Sequence, residues 1–322
     1  MVVALMLKYI LKRLAITIPV LFMISVVAFL LVHMTPGDPA DMYITEDMTV
    51  EQIALIRESF GLDKPLFIQY FDWLTNFLKG NLGFSFANRQ PISEILAQRI
   101  NPTLTLMITS LVVAYLFAIP LGIVAAVYKD SWLDRFIIGW TFANVSFPPF
   151  FLSLALIYLF AVQMPIFPTG GMEELGMEGD FGDLCMHLFL PVIVMASQYC
   201  ANMIRYVRAS VLDVMSQNYI RTAIAKGLSE KKILLHHVLR NSLIPIVTVI
   251  GTDLPKIIGG AVVTEQIFQW PGIGSLTIAS INSRDYPILM IIVIFSAIGV
   301  LFANLIVDIL YAVIDPRIKY SK

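Results

Sequence analysis

Apolar residues along the chain fall into six long runs, and polar stretches separate these runs. Asp, Glu, Lys and Arg are almost absent from the runs, and a helix needs about 20 apolar residues to cross the hydrocarbon core of a membrane. The pattern therefore predicts an all-α membrane protein with six transmembrane helices. The predicted spans are residues 14–32, 104–128, 136–163, 187–204, 243–263 and 287–314.

The amino-acid composition agrees with this prediction. Hydrophobic residues make up 58% of the 322 residues, charged residues make up 14%, and the mean hydropathy is +0.79. A soluble domain has about 25% charged residues. The composition therefore excludes an ordinary soluble enzyme, a disordered protein and a nucleic-acid-binding protein. A basic start with Lys8, Lys12 and Arg13 precedes the first run, which is too long for a cleaved signal peptide and is interpreted as a retained anchor.

The segments outside the spans differ in charge. Lys and Arg are concentrated in four of them: residues 1–13, 129–135, 205–242 and 315–322. Residues 164–186 hold five acidic residues and no Lys or Arg. Positively charged segments stay on the cytoplasmic side of a membrane, so both termini are predicted to be cytoplasmic. The segments predicted to lie outside are residues 33–103, 164–186 and 264–286.

The first outer segment, residues 33–103, is predicted to contain two amphipathic helices. One covers residues 50–60 and closes at Gly61, and the other covers residues 66–78 and ends at Gly80. Two interpretations remain open for them. They form either a helical cap that rests on the spans or the membrane surface, or a docking platform for a soluble partner outside the membrane.

The inner segment, residues 205–242, is predicted to form two helices joined at a glycine. The first covers Tyr219 to Lys226, and Gly227 follows it as the usual helix stop. Ser229 then suits the start of a second, basic helix that continues into the fifth span at Pro245. A short helix with small residues on one face fits a groove on another protein.

This inner segment resembles the cytoplasmic coupling loop of the permease subunits of ABC importers. The usual form of that loop is Glu-Ala-Ala, three residues and Gly, and Arg221, Thr222, Ala223 and Gly227 stand at the matching positions here. The departure at the first two positions is typical of the dipeptide, oligopeptide and nickel permeases. Other stretches that resemble this branch are residues 8–14, 33–40, 60–66, 69–70, 80–83, 263–274 and 315–317.

The resemblance implies a type I ABC importer permease fold in a bacterial or archaeal plasma membrane. It implies a second homologous permease, two cytosolic ATPase subunits that bind ATP and Mg²⁺, and a substrate-binding protein outside. The chain itself would hold no catalytic residue, cofactor or metal, and would carry peptides by alternating access. A glutathione or nickel-chelate importer remains an alternative. The residues implied in coupling to the ATPase are Tyr219, Arg221, Thr222, Ala223, Ala225, Lys226, Gly227 and Leu228.

The sequence agrees with the expectation that the chain itself holds no catalytic residue, cofactor or metal. No G-x-x-x-x-G-K-[ST] or H-E-x-x-H motif is present. His236 and His237 are adjacent on a predicted helix, so they point about 100° apart and chelate a metal poorly together. Cys185 and Cys200 cannot form a disulfide framework.

Two pairs of residues are candidates for the transport pathway. Asp253 and Lys256 are three residues apart in the fifth span, and so share one helix face. They either line the pathway and meet peptide termini, or form a self-satisfying pair at a subunit interface. Pro148 and Pro149 interrupt the third span and predict a kink that serves packing or a hinge.

The outer segment after the fifth span contains a second candidate group. Glu265, Phe268, Trp270 and Pro271 are interpreted either as an outer gate or docking contact, or, for Trp270, as ordinary anchoring at the membrane interface. Gly251, Gly259 and Gly260 permit close helix approach in the fifth span. Asp308, near the inner end of the sixth span, is assigned a structural role.

Two other classes of protein are weighed against an ABC importer permease. A secondary transporter or channel without ATPases explains the spans and the pair of Asp253 with Lys256, but not the ordered inner segment. An intramembrane enzyme needs a nucleophile with a base, or metal ligands, inside the spans, and the sequence offers no convincing set.

Overall fold

A computed structural model of the chain describes residues 2–34, 44, 47–59, 61–259 and 261–314. Regular structure in these residues is helical, apart from one isolated β-bridge between Phe84 and Pro91. Several residues used in the sequence-based predictions lie outside the described part: residues 35–40, Phe60, Gly260 and residues 315–322. The helices are α1 Val2–Met34, α2 Val50–Ser59, α3 Leu66–Leu78, α4 Ile92–Val127, α5 Trp132–Ser146, α6 Pro149–Ile157, α7 Phe181–Ser216, α8 Asn218–Ala225, α9 Glu230–Lys232, α10 Leu239–Gly259, α11 Val262–Ile267, α12 Ile273–Asn282 and α13 Tyr286–Ile314.

Five helical segments in the described part are long and apolar enough to cross a membrane. They are α1, α4, α7, the segment from α9 through α10, and α13. A π-helical stretch, Ile233–Val238, joins α9 to α10 without a break. The count becomes six if α5 and α6 together form one crossing.

The predicted third span, residues 136–163, is broken rather than continuous. α5 and α6 meet at an angle of 96°. Phe147 and Pro148 between them are extended, with ψ angles of 122° and 138°. Proline disfavours helical geometry in the residue before it and supplies no backbone N–H, so two consecutive prolines end α5 and start α6 in a new direction. A π-helical turn, Tyr158–Gln163, then extends α6.

The predicted fourth span, residues 187–204, lies within α7, which extends beyond it at both ends. α7 has 36 residues, which at 1.5 Å per residue is about 54 Å, longer than the hydrocarbon core of about 30 Å. Asp180 caps its first turn by accepting hydrogen bonds from the backbone N–H groups of Gly182 and Asp183. Arg205 and Arg208 end the apolar run but not the helix, because arginine is a good helix former.

The largest buried cluster lies between α4 and α7. α4 presents small residues there, including Ala114, Ala118, Gly122 and Ala125. A Cβ atom added at Gly122 would lie 2.6 Å from Cβ of Val207 and 3.0 Å from the carbonyl oxygen of Ile204. The two backbones therefore approach as closely as glycine allows, which is a common basis for packing between membrane helices.

The helices of the first outer segment lie at the predicted positions, and α3 rests on the spans. Tyr70 of α3 is buried, and its hydroxyl shares a hydrogen bond of 2.8 Å with Ser25 of α1. Its ring packs edge-on against Phe29. Beyond α3, Ser85 donates a hydrogen bond to Asp285, just before α13. This segment is therefore fastened to α1 and to the start of α13.

We expect Gly122→Ala to destabilise the contact between α4 and α7, because the added methyl group overlaps Val207. Overpacking of this kind costs about 1–3 kcal/mol. The measurement is the thermal unfolding midpoint of the purified chain in detergent, which should fall by a few degrees.

The matched control is Gly139→Ala in α5, where an added Cβ meets nothing within 4 Å in the described chain. Alanine favours a helix over glycine, so this variant should unfold at the wild-type temperature or slightly above it. An equal fall for both variants would show that the tight approach at Gly122 is not the cause.

Candidate functional site

α8 and the turn after it form a compact projection at the end of α7. α7 ends at Ser216, Gln217 is extended, and α8 begins at the next residue. After α8 the chain turns at Gly227, whose φ is +76°. The N–H of Gly227 donates to the carbonyl of Ile224, and the N–H of Leu228 donates to the carbonyl of Ala223. Only glycine adopts this backbone conformation without strain, which explains the predicted helix stop.

The two faces of α8 have different surroundings. Ile220 and Ala223 are buried in the same cluster as α4 and α7, and Leu228 packs against that cluster. The exposed residues at α8 are Asn218, Tyr219, Arg221, Thr222, Ile224, Ala225, Lys226 and Gly227. Ile224 leaves 60% of its surface exposed, although it is a large apolar residue.

Ala223 and Ala225, both among the residues implied in coupling, lie on different sides of α8. Residues two positions apart on a helix point about 200° apart, so Ala223 faces the chain while Ala225 faces outward. Ile224 does not stand out in the sequence. An apolar side chain between polar neighbours is common in sequences. Only its exposure in the structure marks Ile224 as a candidate for contact with a partner protein.

An ion pair joins α7 to α5 near α8. Arg208 donates from Nε and Nη2 to the two carboxylate oxygens of Asp134, each at 2.7 Å. Asp134 is buried, and it also accepts a hydrogen bond of 2.9 Å from the backbone N–H of Asp130. Bidentate pairs of arginine with carboxylate are among the stronger hydrogen-bonded contacts. The sequence does not reveal this pair, because its members lie 74 positions apart.

Asp253 and Lys256 form the contact that their spacing predicted. Nζ of Lys256 lies 2.5 Å from Oδ1 of Asp253. The hydroxyl of Tyr115, on α4, donates to the other carboxylate oxygen at 2.6 Å. Asp253 is buried, but 58% of the Lys256 side chain is exposed, and its nitrogen lies 6.0 Å from the ring centre of Tyr199. The Asp253 carboxylate thus has its partners within the chain, whereas the Lys256 ammonium group reaches the surface of the chain.

A set of polar side chains on α7 continues from Lys256. Gln198, Tyr199 and Arg205 are half-buried, and Asn202 and Tyr206 are exposed. These residues are three, four and seven positions apart, so their side chains lie on one face of the helix. Polar side chains in a membrane-spanning helix usually face a cavity or a protein partner rather than lipid. We call these five residues and Lys256 the polar face. The five residues on α7 do not stand out in the sequence, because none of them interrupts the helix.

The segment after α10 is a helical hairpin formed by α11 and α12, and its centre is buried. Glu265 is 0% exposed. Its carboxylate accepts hydrogen bonds from the Thr103 hydroxyl at 2.8 Å and from the N–H of Ser275 at 3.1 Å. The Thr103 hydroxyl in turn accepts from the N–H of Ile273 at 2.8 Å. The hairpin is therefore fastened to α4 through one carboxylate.

Two glycines make room for this carboxylate. Cβ atoms added at Gly272 and Gly274 would lie 2.3 Å and 2.8 Å from Oε2 of Glu265. Trp270 is fully buried, and its Nε1 donates to the carbonyl of Pro102 at 2.9 Å. The interpretation of Trp270 as a membrane-interface anchor is therefore wrong, because its ring and its N–H both face protein. Phe268 is also buried, and Pro271 lines a cavity of about 260 Å³ beside the hairpin.

The family of binding-protein-dependent transport system inner membrane components matches residues 118–320 of the chain, and the N-terminal family of the same components matches residues 6–109. The chain belongs to this family. The resemblance seen in the sequence is thereby confirmed, and the protein is an ABC transporter permease rather than an intramembrane enzyme or a transporter of an unrelated kind.

Relatives of this permease align with nearly its whole length. A glutathione transport system permease protein GsiC from Escherichia coli is 41% identical over 316 residues, which are 98% of this chain and 100% of the relative. The protein of the same name from Salmonella choleraesuis is 41% identical over 318 residues, with the same coverage.

A solved structure of the MetNI methionine ABC transporter in an inward-facing conformation shares the fold of this permease. The similarity has a TM-score of 0.57 at 14% identity, and it covers 70% of this chain and 99% of the other. The predicted fold class, an all-α type I importer permease, is therefore confirmed.

We expect Glu265→Ala to loosen the hairpin of this permease. The change leaves the Thr103 hydroxyl and the Ser275 N–H buried without an acceptor, at about 1–3 kcal/mol for each group. Trp270 reports the result in a variant whose other three tryptophans, Trp73, Trp132 and Trp140, are phenylalanine. Its fluorescence should become accessible to acrylamide.

The control is Gln266→Ala, which changes the next, exposed residue of α11 and should leave Trp270 protected. If Trp270 stays protected in the Glu265 variant as well, the carboxylate does not hold the hairpin in place.

Proposed function

We propose that this permease and a second, related permease together form the pathway of an ABC importer for short peptides. Two ATPase subunits, with ATP and Mg²⁺ bound, would drive it, and a binding protein outside would deliver the cargo. Family membership supports this assignment, since the family is defined by binding-protein-dependent transport. Both termini would lie in the cytoplasm, because Lys and Arg cluster at the α8 end of the spans and acidic residues cluster in residues 164–186.

α8 is the proposed contact with the ATPase. Its exposed side carries polar residues around Ile224, and its buried side packs on its own chain. A helix that is fixed on one side and apolar at the centre of the other suits a groove on a partner. Movement of the ATPase would reach the spans through α7 before α8 and through α9 and α10 after it. This is alternating access by rigid-body movement.

Two features support a pathway along α7 and α10. Lys256 reaches an exposed surface beside Tyr199, and the polar face continues along α7 toward α8. The break at Pro148 and Pro149 lies beside α7, and broken helices in transporters commonly stand next to substrate sites. The hairpin with Glu265, Phe268, Trp270 and Pro271 is a proposed outer gate, since it connects α10 to α13 at the end of α10 far from α8.

Glutathione is the proposed cargo. The supporting observation is the likeness, over 98% of the chain, to permeases named for glutathione transport. Glutathione is a tripeptide, so this proposal narrows the peptide class and leaves the mechanism unchanged.

The first test is purification of the tagged permease from its own membranes in mild detergent, followed by uptake assays in proteoliposomes. We expect a second permease and ATPase subunits to co-purify, and labelled glutathione to enter only with ATP and the binding protein present. Recovery of the chain alone in several detergents would contradict the assembly. An intact complex that imports dipeptides but not glutathione would contradict the cargo only.

We expect Ile224→Asp to abolish ATPase binding and to lower uptake at least tenfold, because a carboxylate would be buried in the interface without a partner. Membrane levels should stay normal, since this side chain is exposed in the permease alone. Co-purification of the ATPase and ATP-driven uptake measure the result.

The matched variant Ile224→Leu preserves apolar volume and should retain most of both readouts. Wild-type ATPase recovery with Ile224→Asp would show that α8 does not dock through this face.

A further inference from the structure

Arg205 is a cation without a carboxylate partner among the described residues. Its Nη2 donates to Oδ1 of Asn202 at 2.7 Å, and its guanidinium carbon lies 5.4 Å from the ring centre of Phe142 on α5. Its Nη1 is buried and has no hydrogen-bond partner. Arg208, one turn further along α7, is by contrast fully engaged by Asp134.

A second unpaired polar atom lies on the facing helix. Oδ1 of Asn144, on α5, is buried and accepts no hydrogen bond. It and Nη1 of Arg205 are the two buried side-chain N or O atoms in the described part of the chain that lack a partner. Both belong to residues at the contact of α5 with α7, and Asn144 stands two residues before the end of α5 at the 96° break.

A chain of hydrogen bonds connects the two residues. The Gln198 side chain donates to the backbone carbonyl of Asn144 at 3.2 Å. The Asn202 side chain donates to the backbone carbonyl of Gln198 at 3.2 Å, and Arg205 donates to Asn202. The residues that carry the unpaired donor and the unpaired acceptor are therefore joined by one network, which includes three members of the polar face.

The chemistry of the missing partner follows from these atoms. A buried donor and a buried acceptor that stay unpaired are costly, so a partner from outside the chain is expected. The donor is an arginine, whose planar fork suits a carboxylate. The acceptor requires an N–H group. A peptide supplies both in one molecule, through its C-terminal carboxylate and a backbone N–H.

The charges of the polar face favour the same partner. Lys256 is neutralised by Asp253, so Arg205 leaves the face with an excess of one positive charge. An anionic group that arrives with the cargo would neutralise this charge. A contact between the cargo carboxylate and Lys256 would be weaker, because Lys256 is already paired with the carboxylate of Asp253.

We propose that Arg205 and Asn144 form a cargo site in which the guanidinium binds the C-terminal carboxylate of a peptide and Oδ1 of Asn144 accepts from its backbone N–H. This inference rests on the proposed function, because it assumes that the polar face lines the pathway. It assigns the site to the place where the broken span meets α7, between Lys256 and the α8 end.

The test compares two cargoes that differ in one charge. ATP-driven uptake of glutathione and of its glycinamide analogue, which lacks the C-terminal carboxylate, is measured in proteoliposomes with the complete transporter and its binding protein. We expect Arg205→Gln to lower the wild-type ratio of acid to amide uptake about tenfold. The binding protein is the same in all assays, so its own selectivity cancels when variants are compared.

The matched control is Arg135→Gln, which removes an exposed arginine from α5 and should leave the ratio at its wild-type value. If Arg205→Gln abolishes uptake of both peptides, Arg205→Lys decides the question. A rise in KM for the acid with an unchanged KM for the amide then supports the site.

Equal effects of the Arg205 variants on acid and amide would overturn the inference while the proposed function stands. Such a result would point to a structural role, such as an ion pair with the second permease or a lipid phosphate. Failure of the wild-type transporter to import either peptide would instead overturn the proposed cargo.

Discussion

Small residues on α4 allow its backbone to lie directly against α7, and the other elements are arranged around this contact. With Gly122 and the neighbouring alanines at the interface, Val207 and Ile204 reach the α4 backbone. Hydrophobic burial contributes little to the association of helices in lipid. Close packing of this kind therefore has to stabilise the contact between α4 and α7. The same α7 then carries the polar face, the ion pair with α5 and the connection to α8. Its length of 36 residues is what allows one helix to serve all three.

A second constraint is that polar groups within the bundle need partners from the protein. Asp253 has Lys256 and Tyr115, Asp134 has Arg208 and the N–H of Asp130, and Glu265 has Thr103 and the N–H of Ser275. In each case a carboxylate joins elements that are distant in sequence. These three contacts fix α10 to α4, α5 to α7 and the hairpin to α4. Arg205 departs from this rule, because its guanidinium contacts an amide and a ring but no carboxylate.

Local patterns predicted much of the fold, since apolar run length, capping residues and turn glycines act within a few residues. They place α2, α3, α8 and the start of α9 within a residue or two of their observed bounds. The sharp break after α5 was underestimated, because two prolines predict an interruption but not its angle. The burial of Trp270 and the inward face of Ala223 depend on what α4 and α7 place beside them. Tyr115, Asn144 and Arg205 could not be singled out, because their roles arise from contacts between helices far apart in sequence.

The arrangement of α7 suggests how α8 and the broken span act together. α8 follows α7 after one extended residue, so a displacement of α8 acts directly on the last turns of α7. In those turns Arg208 holds Asp134 through two hydrogen bonds, which makes α5 follow α7. α5 ends at the 96° break, where Phe147 and Pro148 are extended and the helix direction changes. A movement that enters through α8 would therefore be transmitted rigidly along α7 and α5 and be absorbed at the break, beside Asn144 and Gln198.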